Sequence, residues 1–496
     1  MAAVGLALVG WGVFFAAIAW PALNLAARCV LDARPPTEGY SYSSRQLLLL
    51  VHSLGLAALA SLSAVLVAIP AAYVVGRASS LGRRPVFAVL LVLVLLCPPM
   101  VYAFGWEKLL PHWIGPRVRC LLTWTLWAWP IPSLMLGAGW RRVGRRAYEA
   151  ALLEAKPAAA FRCVALPLLR PYMVAAWLIL FVLFCGDYGV PHACGLVVHA
   201  TEMLGWAANA TLPIDVVWPS VPVLLVASAA LGGLGWIARH SEAPDHEVTL
   251  HDTSTGFDAM ILAALGVFLI SWALPMAGLT LARPWFTSLG AVLEYYQADL
   301  GVSLATCTAA AAASLLMALA VVRCRRGGKA VLAASLILGV LPGPLVGASL
   351  LWAYNRPAFG FLFDHWPIVA LSYVSRFGWL SVLAAAFLSR QMSPALNDLA
   401  RLEGVSGLDR IWHVEGPLSS PLWLCTMWVT TVLALGDVAA SALVRVPSFT
   451  PVAHVLVEKF HRFEDGMIIA LSVLLVAAPL PAAIIVAAAA RRNAIP

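Results

Sequence analysis

Residues 173–190 read MVAAWLILFVLFCGDYGV. The first thirteen are apolar, and the pair Gly186-Asp187 follows them. Apolar windows of about 20 residues, the length that crosses the hydrocarbon core of a bilayer, recur from end to end. Apolar residues make up 62% of the 496 residues and charged residues only 11%, whereas soluble domains carry about 25%. The sequence therefore predicts an all-α polytopic membrane protein, because a membrane β-barrel would show short alternating strands.

Twelve apolar spans can be counted, six on each side of the hydrophilic stretch 239–258. They are Val4–Ala27, Gln46–Gly76, Val86–Trp106, Cys120–Gly139, Met173–Val190, Val216–Ala238, Met260–Leu281, Leu300–Val322, Ala330–Trp352, Ile368–Leu388, Leu422–Val444 and Met467–Ala490. An even number of spans gives both halves the same orientation, so we expect parallel repeats related by an axis along the membrane normal. The predicted organisation is a first half at 1–238, a linker at 239–258 and a second half at 259–496.

Lys and Arg predict the orientation of these spans. The loops on the side of the N-terminus hold 20 of them and the opposite loops hold 11. The positive-inside rule therefore predicts that both termini lie in the cytoplasm. Because the net charge of +8 is largely this orientation signal, we expect membrane lipid around the chain and no nucleic-acid partner. No Lys or Arg precedes the first apolar run, so we interpret it as a retained span.

Two polar loops, 141–171 and 390–420, repeat one another at an offset of 250 residues. The first contains Glu149–Ala155 (EAALLEA) and the second contains Asp398–Gly404 (DLARLEG). Ala, Leu and Glu are strong helix formers, so each loop should form a short helix along the cytoplasmic face. One such loop alone would be interpreted as a plain amphipathic connector, whereas two copies at fixed spacing favour a functional device that takes force from a soluble partner.

Each loop contains a proline near its end and is followed by an aspartate inside an apolar span. Pro167 precedes Asp187 by twenty residues, and Pro417 precedes Asp437 by the same number. Ionisable groups at membrane depth are costly, which makes both aspartates and Arg376 candidates for a pathway or for a structural role. Our interpretation favours the structural role, in which each aspartate is a partner for backbone amides or for an arginine near a helix break.

The pattern E-A-A-x-x-x-G followed by L-P resembles the signature of the membrane subunits of type I ABC importers of the binding-protein-dependent class. Six spans per half, with the loop between the fourth and fifth, is the plan of that family. Gly82-Arg83-Arg84, Tyr373–Phe377 and the Gly-Asp pairs are similar as well. Two halves in one chain resemble the fused permeases for ferric iron and thiamine. The departures are Ala155 for Gly, Asp398-Leu399 for Glu-Ala, and Gly416 for Leu.

This resemblance implies a multi-pass protein of the bacterial cytoplasmic (inner) membrane whose two loops are coupling helices. They would dock on two copies of a cytoplasmic ABC ATPase, which would hold ATP and Mg²⁺, while a periplasmic or lipid-anchored binding protein delivers the substrate. The implied coupling residues are Glu149, Ala150, Ala151, Ala155, Pro167, Asp398, Leu399, Ala400, Gly404 and Pro417. Ferric iron is the first substrate expected, and thiamine, phosphonate and polyamine are alternatives. A secondary transporter of the major facilitator type is a further alternative, although residues 75–84 keep only the closing Gly-Arg-Arg of its usual loop.

Catalytic chemistry is not indicated by the sequence. Gly327–Ala330 lacks the upstream glycine and the hydroxyl residue of a phosphate-binding loop, so ATP hydrolysis is expected on a separate subunit. No nucleophile, paired acid and base, or cofactor site is predicted. The nine cysteines form no C-x-x-C pair, so neither a disulfide framework nor a metal site is predicted. Four histidines in outside segments are interpreted as surface residues: His192, His199, His365 and His454.

Overall fold

The computed structural model describes most of the chain as helices. The described residues are 2–32, 42–77, 83–95, 97–111, 113–143, 145–240, 255–281, 285–323, 341–391, 416–447, 449–478 and 481. Within them there is no β-strand. Most of the predicted linker and most of the second repeated loop lie outside the described residues.

The helices before the linker are α1 (Ala2–Phe14), α2 (Trp20–Leu31), α3 (Ser44–Val67), α4 (Ile69–Arg77), α5 (Arg83–Leu95), α6 (Pro99–Leu109), α7 (Pro116–Ala128), α8 (Pro130–Arg142), α9 (Arg145–Glu154), α10 (Pro157–Ala160), α11 (Leu166–Cys185), α12 (Gly189–Ala193), α13 (His199–Asn209) and α14 (Ile214–His240). Those after it are α15 (Thr255–Phe268), α16 (Leu274–Leu281), α17 (Trp285–Arg323), α18 (Gly343–Tyr354), α19 (Gly360–Phe363), α20 (Trp366–Gln391), α21 (Gly416–Leu435), α22 (Val452–His461) and α23 (Asp465–Ala477). Three π-helical segments, Phe15–Ala19, Phe161–Ala165 and Leu269–Ala273, and one 3₁₀ turn, Pro357–Phe359, join some of them.

Seven of the described helical segments are long and apolar enough to cross a membrane. They are Gly5–Leu31, Ser44–Val67, Phe161–Cys185, Ile214–Ile237, Phe257–Leu281, Trp285–Val322 and Trp366–Ala386. The pair Val89–Leu95 and Pro99–Leu109 is bent by 84° and makes an eighth if it counts as one span. The chain is therefore an all-α polytopic membrane protein, as the sequence predicts.

The remaining predicted spans are shorter or partly outside the described residues. The span predicted at 120–139 is divided into α7 and α8, because Pro130 supplies no N–H to continue the helix. The span predicted at 330–352 is described only from residue 341. The last two contain the shorter apolar helices Leu422–Leu435 and Asp465–Ala477.

The helices pack into two compact units whose membership crosses the predicted halves. One unit, called here the Asp187 unit, comprises residues Ser43–Thr201 and Pro222–Ala282. The other, the Asp437 unit, comprises Met1–Tyr42, Glu202–Val221 and Arg283–Pro496. Helices α1 and α2 of the predicted first half thus belong to the Asp437 unit, and α15 and α16 of the predicted second half belong to the Asp187 unit.

Glycines explain how α16 and α1 come close to the helices of the units to which they belong. In the Asp187 unit, α16 packs on α6, and a Cβ added at Gly105 would lie 2.5 Å from the carbonyl oxygen of Pro275. A Cβ at Gly278 would overlap with the backbone of Gly105 in the same way. In the Asp437 unit, α1 packs on the 39-residue helix α17, and a Cβ at Gly10 would overlap with the carbonyl oxygen of Leu316. Contacts this close require glycine.

The segment from α1 to α2 and the segment from α15 to α16 each contain a π-helical stretch followed by a proline. Pro21 and Pro275 have no N–H, so the carbonyls four residues earlier, those of Ala17 and Ser271, lose their helical donor. A side-chain hydroxyl satisfies each carbonyl within its own unit. Ser375 Oγ donates to the Ala17 oxygen at 2.5 Å, and the Tyr102 hydroxyl donates to the Ser271 oxygen. In an apolar setting an unpaired carbonyl would cost several kcal/mol, so these contacts stabilise the breaks.

Candidate functional site

The first repeated loop, residues 141–171, presents a short helix with two different faces. Helix α9 ends at Glu154, three residues before Pro157, because the residue before a proline is disfavoured in the α conformation. On one face Tyr148 is buried and Ala151 packs against the same core cluster. On the opposite face, at spacings of three and four residues, Ala150, Leu153 and Glu154 are exposed. The Leu153 side chain is 89% exposed, so a large apolar side chain projects from the outer face of the helix.

A cation–π clamp holds the inner face of α9. Arg77, the last residue of α4, is only 4% exposed. Its Cζ atom lies 5.0 Å from the centroid of the Tyr148 ring and 5.4 Å from that of the Trp140 ring. Nε and Nη2 of Arg77 are buried without a hydrogen-bond partner in the described part of the chain, so the two rings provide its local stabilisation. Burial raises the pKa of the Tyr148 phenol above its ordinary value.

The clamp joins the loop to a closely packed pair of helices. A Cβ added at Gly76 would overlap with the Trp140 side chain and lie 2.7 Å from the carbonyl oxygen of Gly137, so α4 and α8 meet at glycines. The Trp140 ring also contacts Tyr73 edge-on, with centroids 5.0 Å apart, and Phe161 at 6.1 Å. The position of α9 is therefore fixed relative to α4 and α8 by aromatic packing.

The structure separates the small residues that the sequence placed together in the first loop. Ala150 points outward, Ala151 packs inward against the core cluster, and Ala155 is half-buried after the end of the helix. Glu149 lies in α9 and its side chain is outside the described part of the chain. Pro167 is exposed near the start of α11.

Most of the predicted coupling residues of the second loop cannot be placed. Asp398, Leu399, Ala400 and Gly404 lie outside the described residues. Pro417 is the second residue of α21, which matches the position of Pro167 at the start of α11.

The carboxylate of Asp187 closes the turn between α11 and α12. Its Oδ1 accepts a hydrogen bond from the Gly189 amide at 2.9 Å, and its Oδ2 accepts one from Trp124 Nε1 at 2.6 Å. The Trp124 ring stacks on Phe184 with centroids 4.8 Å apart. Asp187 therefore ties the end of the long helix α11 to α7 and to the short helix that follows.

Asp437 occupies a similar turn in its own unit. Its Oδ2 accepts a hydrogen bond from the Ala440 amide at 3.0 Å, three residues further along the chain. The segment after it packs on α18, since a Cβ at Gly347 would lie 2.6 Å from the carbonyl oxygen of Ala440. Both aspartates thus accept hydrogen bonds from backbone amides just beyond an apolar helix.

A side-chain N–H donor stabilises each of two proline breaks, and the donor is a different residue type in each unit. Cys97 and Leu341 each precede a proline that begins a new helix, so their carbonyls stand at a break. Trp127 Nε1 donates to the Cys97 oxygen at 2.9 Å, and Arg376 Nη1 donates to the Leu341 oxygen. The indole in the Asp187 unit and the guanidinium in the Asp437 unit perform the same task.

The surface interpretation is wrong for two of the four histidines that the sequence predicts in outside segments. His199 and His454 are both buried, and His454 Nε2 lies 2.8 Å from Ser441 Oγ. They are enclosed because the segments after the Gly-Asp turns fold back onto the helices. Within the described residues no group of three or more His, Cys, Asp or Glu side chains has the arrangement of a metal site.

Sequence reasoning missed four residues of the first loop's surroundings: Arg77, Trp140, Tyr148 and Leu153. Signals for two of them were present in the sequence. Arg77 is a charge at the end of an apolar span, and Leu153 is a large apolar residue in a polar loop. Trp140 and Tyr148 gave no such signal, since aromatic residues near the ends of spans are common.

No protein-family model matches the chain, and no curated protein sequence matches it either.

Replacing Arg77 with Met should loosen α9 while leaving the fold intact. The change removes two cation–π contacts, each worth about 0.5–2 kcal/mol, and it also removes a buried charge whose desolvation is unfavourable. We expect the Tm in detergent to change by only a few degrees. Thiol labelling of Ala151→Cys, with the exposed Cys163 replaced by Ser, should become several-fold faster because the inner face of α9 separates from its core.

A matched control is Arg28→Met, which removes a cation–π contact elsewhere, at 5.6 Å from the Trp352 ring centroid. That variant should leave labelling at position 151 unchanged. Arg77→Lys should give an intermediate rate, because an ammonium group keeps the charge but not the planar contact. Equal labelling rates in Arg77→Met and in the parent would contradict the clamp.

Proposed function

We propose that this chain is the transmembrane permease subunit of an ATP-driven importer of the type I, binding-protein-dependent class. In this proposal twelve spans form two parallel six-helix repeats in a bacterial inner membrane, with both termini in the cytoplasm. The observation that carries the proposal is helix α9. It combines an outer face bearing Leu153, 89% exposed, with an inner face fixed to the protein by Tyr148.

An exposed leucine on a rigid helix suits a docking element. The clamp holds Leu153 in a fixed position, which a docking element requires and a mobile connector does not. Docking would bury Leu153 in a groove of an ATPase subunit, which stabilises the complex by about 1.5–3 kcal/mol. Movement of that subunit would then pass through Tyr148 and Arg77 into α4 and α8, so the ATP-driven step would displace membrane helices.

A proline break and an aspartate turn occur in each of the two units, and these equivalent features support an internal repeat. Each unit contains a proline break whose carbonyl accepts from a side chain on a later helix, Cys97 from Trp127 and Leu341 from Arg376. Each unit also contains an aspartate turn just beyond an apolar helix. Two related halves would provide two docking loops, 141–171 and 390–420, for two copies of the ATPase.

The chemistry of ATP would belong to those partners, which would hold ATP and Mg²⁺. A periplasmic or lipid-anchored binding protein would deliver the substrate from the other side. Ferric iron is our first candidate, followed by thiamine, phosphonate and polyamine. Ferric iron prefers hard oxygen ligands, and in this proposal the binding protein supplies them.

Site-specific photo-crosslinking tests this proposal. A photo-reactive amino acid at position 153 should capture an ATP-binding polypeptide in native membranes, because the Leu153 side chain would lie inside the partner's groove. The captured band should be identified by mass spectrometry and should carry a phosphate-binding loop.

The matched position is Phe463, which is 87% exposed and lies in a segment that the proposed orientation puts on the opposite side of the membrane. The same photo-reactive residue there should capture no ATPase. Failure to capture any ATP-binding polypeptide from position 153 would remove the basis of the proposal.

A further inference from the structure

The turn after α22 holds a phenylalanine in a backbone conformation that favours glycine. Among the described residues Phe463 is the only one other than glycine with a positive φ, 55°. Its amide donates to the Phe460 carbonyl at 3.1 Å, and the Glu464 amide donates to the Lys459 carbonyl at 3.1 Å. This pair of hydrogen bonds is the Schellman motif that ends many helices, and glycine usually occupies its left-handed position. A larger side chain there strains the backbone, so Phe463 destabilises the turn that it occupies.

Charged side chains hold this turn against α17. Lys459 Nζ lies 2.8 Å from Glu464 Oε2 and 5.6 Å from the centroid of the Tyr296 ring on α17. Lys459 is only 7% exposed, so this ion pair is fixed on the helix. Asp299 Oδ1, further along α17, accepts a hydrogen bond from the Thr450 amide at 3.1 Å, just before α22. The segment that contains α22 and the turn is therefore held on α17 at both of its ends.

The Phe463 side chain projects away from this support. It is 87% exposed. Beside it in the chain, Arg462 pairs with Glu458 at 2.6 Å, and both of these charged side chains are more than half exposed. An exposed aromatic ring with charged groups around it has the composition of a protein-binding surface, in which an aromatic anchor is surrounded by a polar rim.

The length of α17 puts the turn beyond the hydrocarbon of the membrane. Its 39 residues extend about 58 Å, whereas the hydrocarbon core is about 30 Å thick. Glu294 and Asp299 lie in the part of α17 that precedes the predicted apolar span, so this part stands outside the core. A Cβ added at Gly466, just after the turn, would lie 2.6 Å from Ser288 Oγ. Ser288 is about 16 Å beyond Asp299 along the helix, which favours a soluble partner for Phe463 over lipid tails.

We propose that Phe463 is the residue by which the binding protein of the proposed importer recognises this chain. The ring would enter an apolar pocket of that protein, and Arg462 and Glu458 would meet charges of opposite sign at the rim of the pocket. The fixed turn would hold the ring in place before binding, which lowers the entropic cost of association. This inference rests on the proposed function and on the orientation that it assigns.

Photo-crosslinking from position 463 in intact cells identifies what covers the ring. We expect a photo-reactive amino acid there to capture a soluble or lipid-anchored protein that carries an export signal, identified by mass spectrometry. The same photo-reactive residue at position 225, where Leu225 is 66% exposed within an apolar span, should give phospholipid adducts instead. Phospholipid adducts at position 463, or no adduct there at all, would overturn the inference.

Affinity for the captured protein is the second measurement, made with both proteins purified. Phe463→Gly should weaken binding at least tenfold, while its Tm should be no lower than that of the parent because glycine relieves the backbone strain. Phe463→Leu should retain part of the affinity. Trp113→Gly, which removes another exposed aromatic side chain (84% exposed), should leave the affinity unchanged. Equal affinities of Phe463→Gly and the parent would contradict the role of the ring.

The results at positions 463 and 153 separate this inference from the proposed function. Capture of an ATPase at position 153 without any protein at position 463 would leave the proposed function intact and remove Phe463 as the docking residue. Capture of an exported protein at position 463 without an ATPase at position 153 would keep Phe463 as a docking residue and remove ATP-driven import.

Discussion

Leu153→Asp should reduce co-purification of the proposed ATPase partner at least tenfold at low ATPase concentration while leaving the fold of this chain unchanged. Removing the leucine forfeits about 1.5–3 kcal/mol of apolar burial at the proposed docking surface. A carboxylate buried there without a partner adds a further penalty of several kcal/mol. Together these costs correspond to well over tenfold in affinity, since each 1.4 kcal/mol is a factor of about 10. Because the side chain is 89% exposed in this chain, the Tm of the variant should equal that of the parent.

Pull-down of the ATPase and substrate-stimulated ATP hydrolysis are the two measurements. Because the second repeated loop would keep some contact, we expect the tenfold loss at low ATPase concentration and a smaller loss at high ATPase concentration. Trp113→Asp is the matched control, because Trp113 is 84% exposed and the proposed orientation puts it on the opposite side of the membrane. Full co-purification of the ATPase with Leu153→Asp would show that α9 is not a docking helix.

The longest apolar runs were the part of the fold that the sequence predicted best. The run ending at Gly186-Asp187 forms the end of a helical segment that is long enough to cross a membrane, because thirteen apolar residues without a polar break leave the backbone no alternative in lipid. The helix pair on either side of Cys97-Pro98-Pro99 is bent by 84°. The two prolines supply no N–H to continue the first helix, and Trp127 donates to the Cys97 carbonyl at the break.

The exchange of the first helices between units could not be predicted from the sequence. It depends on which distant backbone lies close to Gly10 and Gly278, and no local pattern carries that information. The small residues were visible in the sequence, but small residues indicate only that some helix comes close, not which one.

The equivalent roles of Trp127 and Arg376 could not be predicted from the sequence for a different reason. In the sequence, the region of the first half that matches Arg376 holds Trp127-Ala128-Trp129-Pro130 and no charged residue. In the structure both side chains donate to a carbonyl that stands before a proline. An indole N–H and a guanidinium N–H are interchangeable for that purpose, and only the position of the acceptor reveals it.

Asp187→Ala should be the most destabilising single substitution near the candidate site. Two charge-assisted hydrogen bonds are lost, each worth about 1.5–3 kcal/mol, and the Trp124 indole N–H is left without its acceptor. The expected loss is therefore about 3–6 kcal/mol. A thermal-unfolding assay in detergent, read by size-exclusion chromatography, should show a marked drop in Tm and broadening of the monodisperse peak.

A double-mutant cycle with Trp124→Phe isolates the 2.6 Å hydrogen bond. Phenylalanine keeps an aromatic ring to stack on Phe184 but has no N–H, so Trp124→Phe alone should cost about 1–3 kcal/mol. The double variant should then be less destabilised than the sum of the two single variants, because the same contact is removed in both. Strict additivity would mean that Asp187 acts through its bond to the Gly189 amide alone. The carboxylate would then hold the turn before α12 without tying α7 to it.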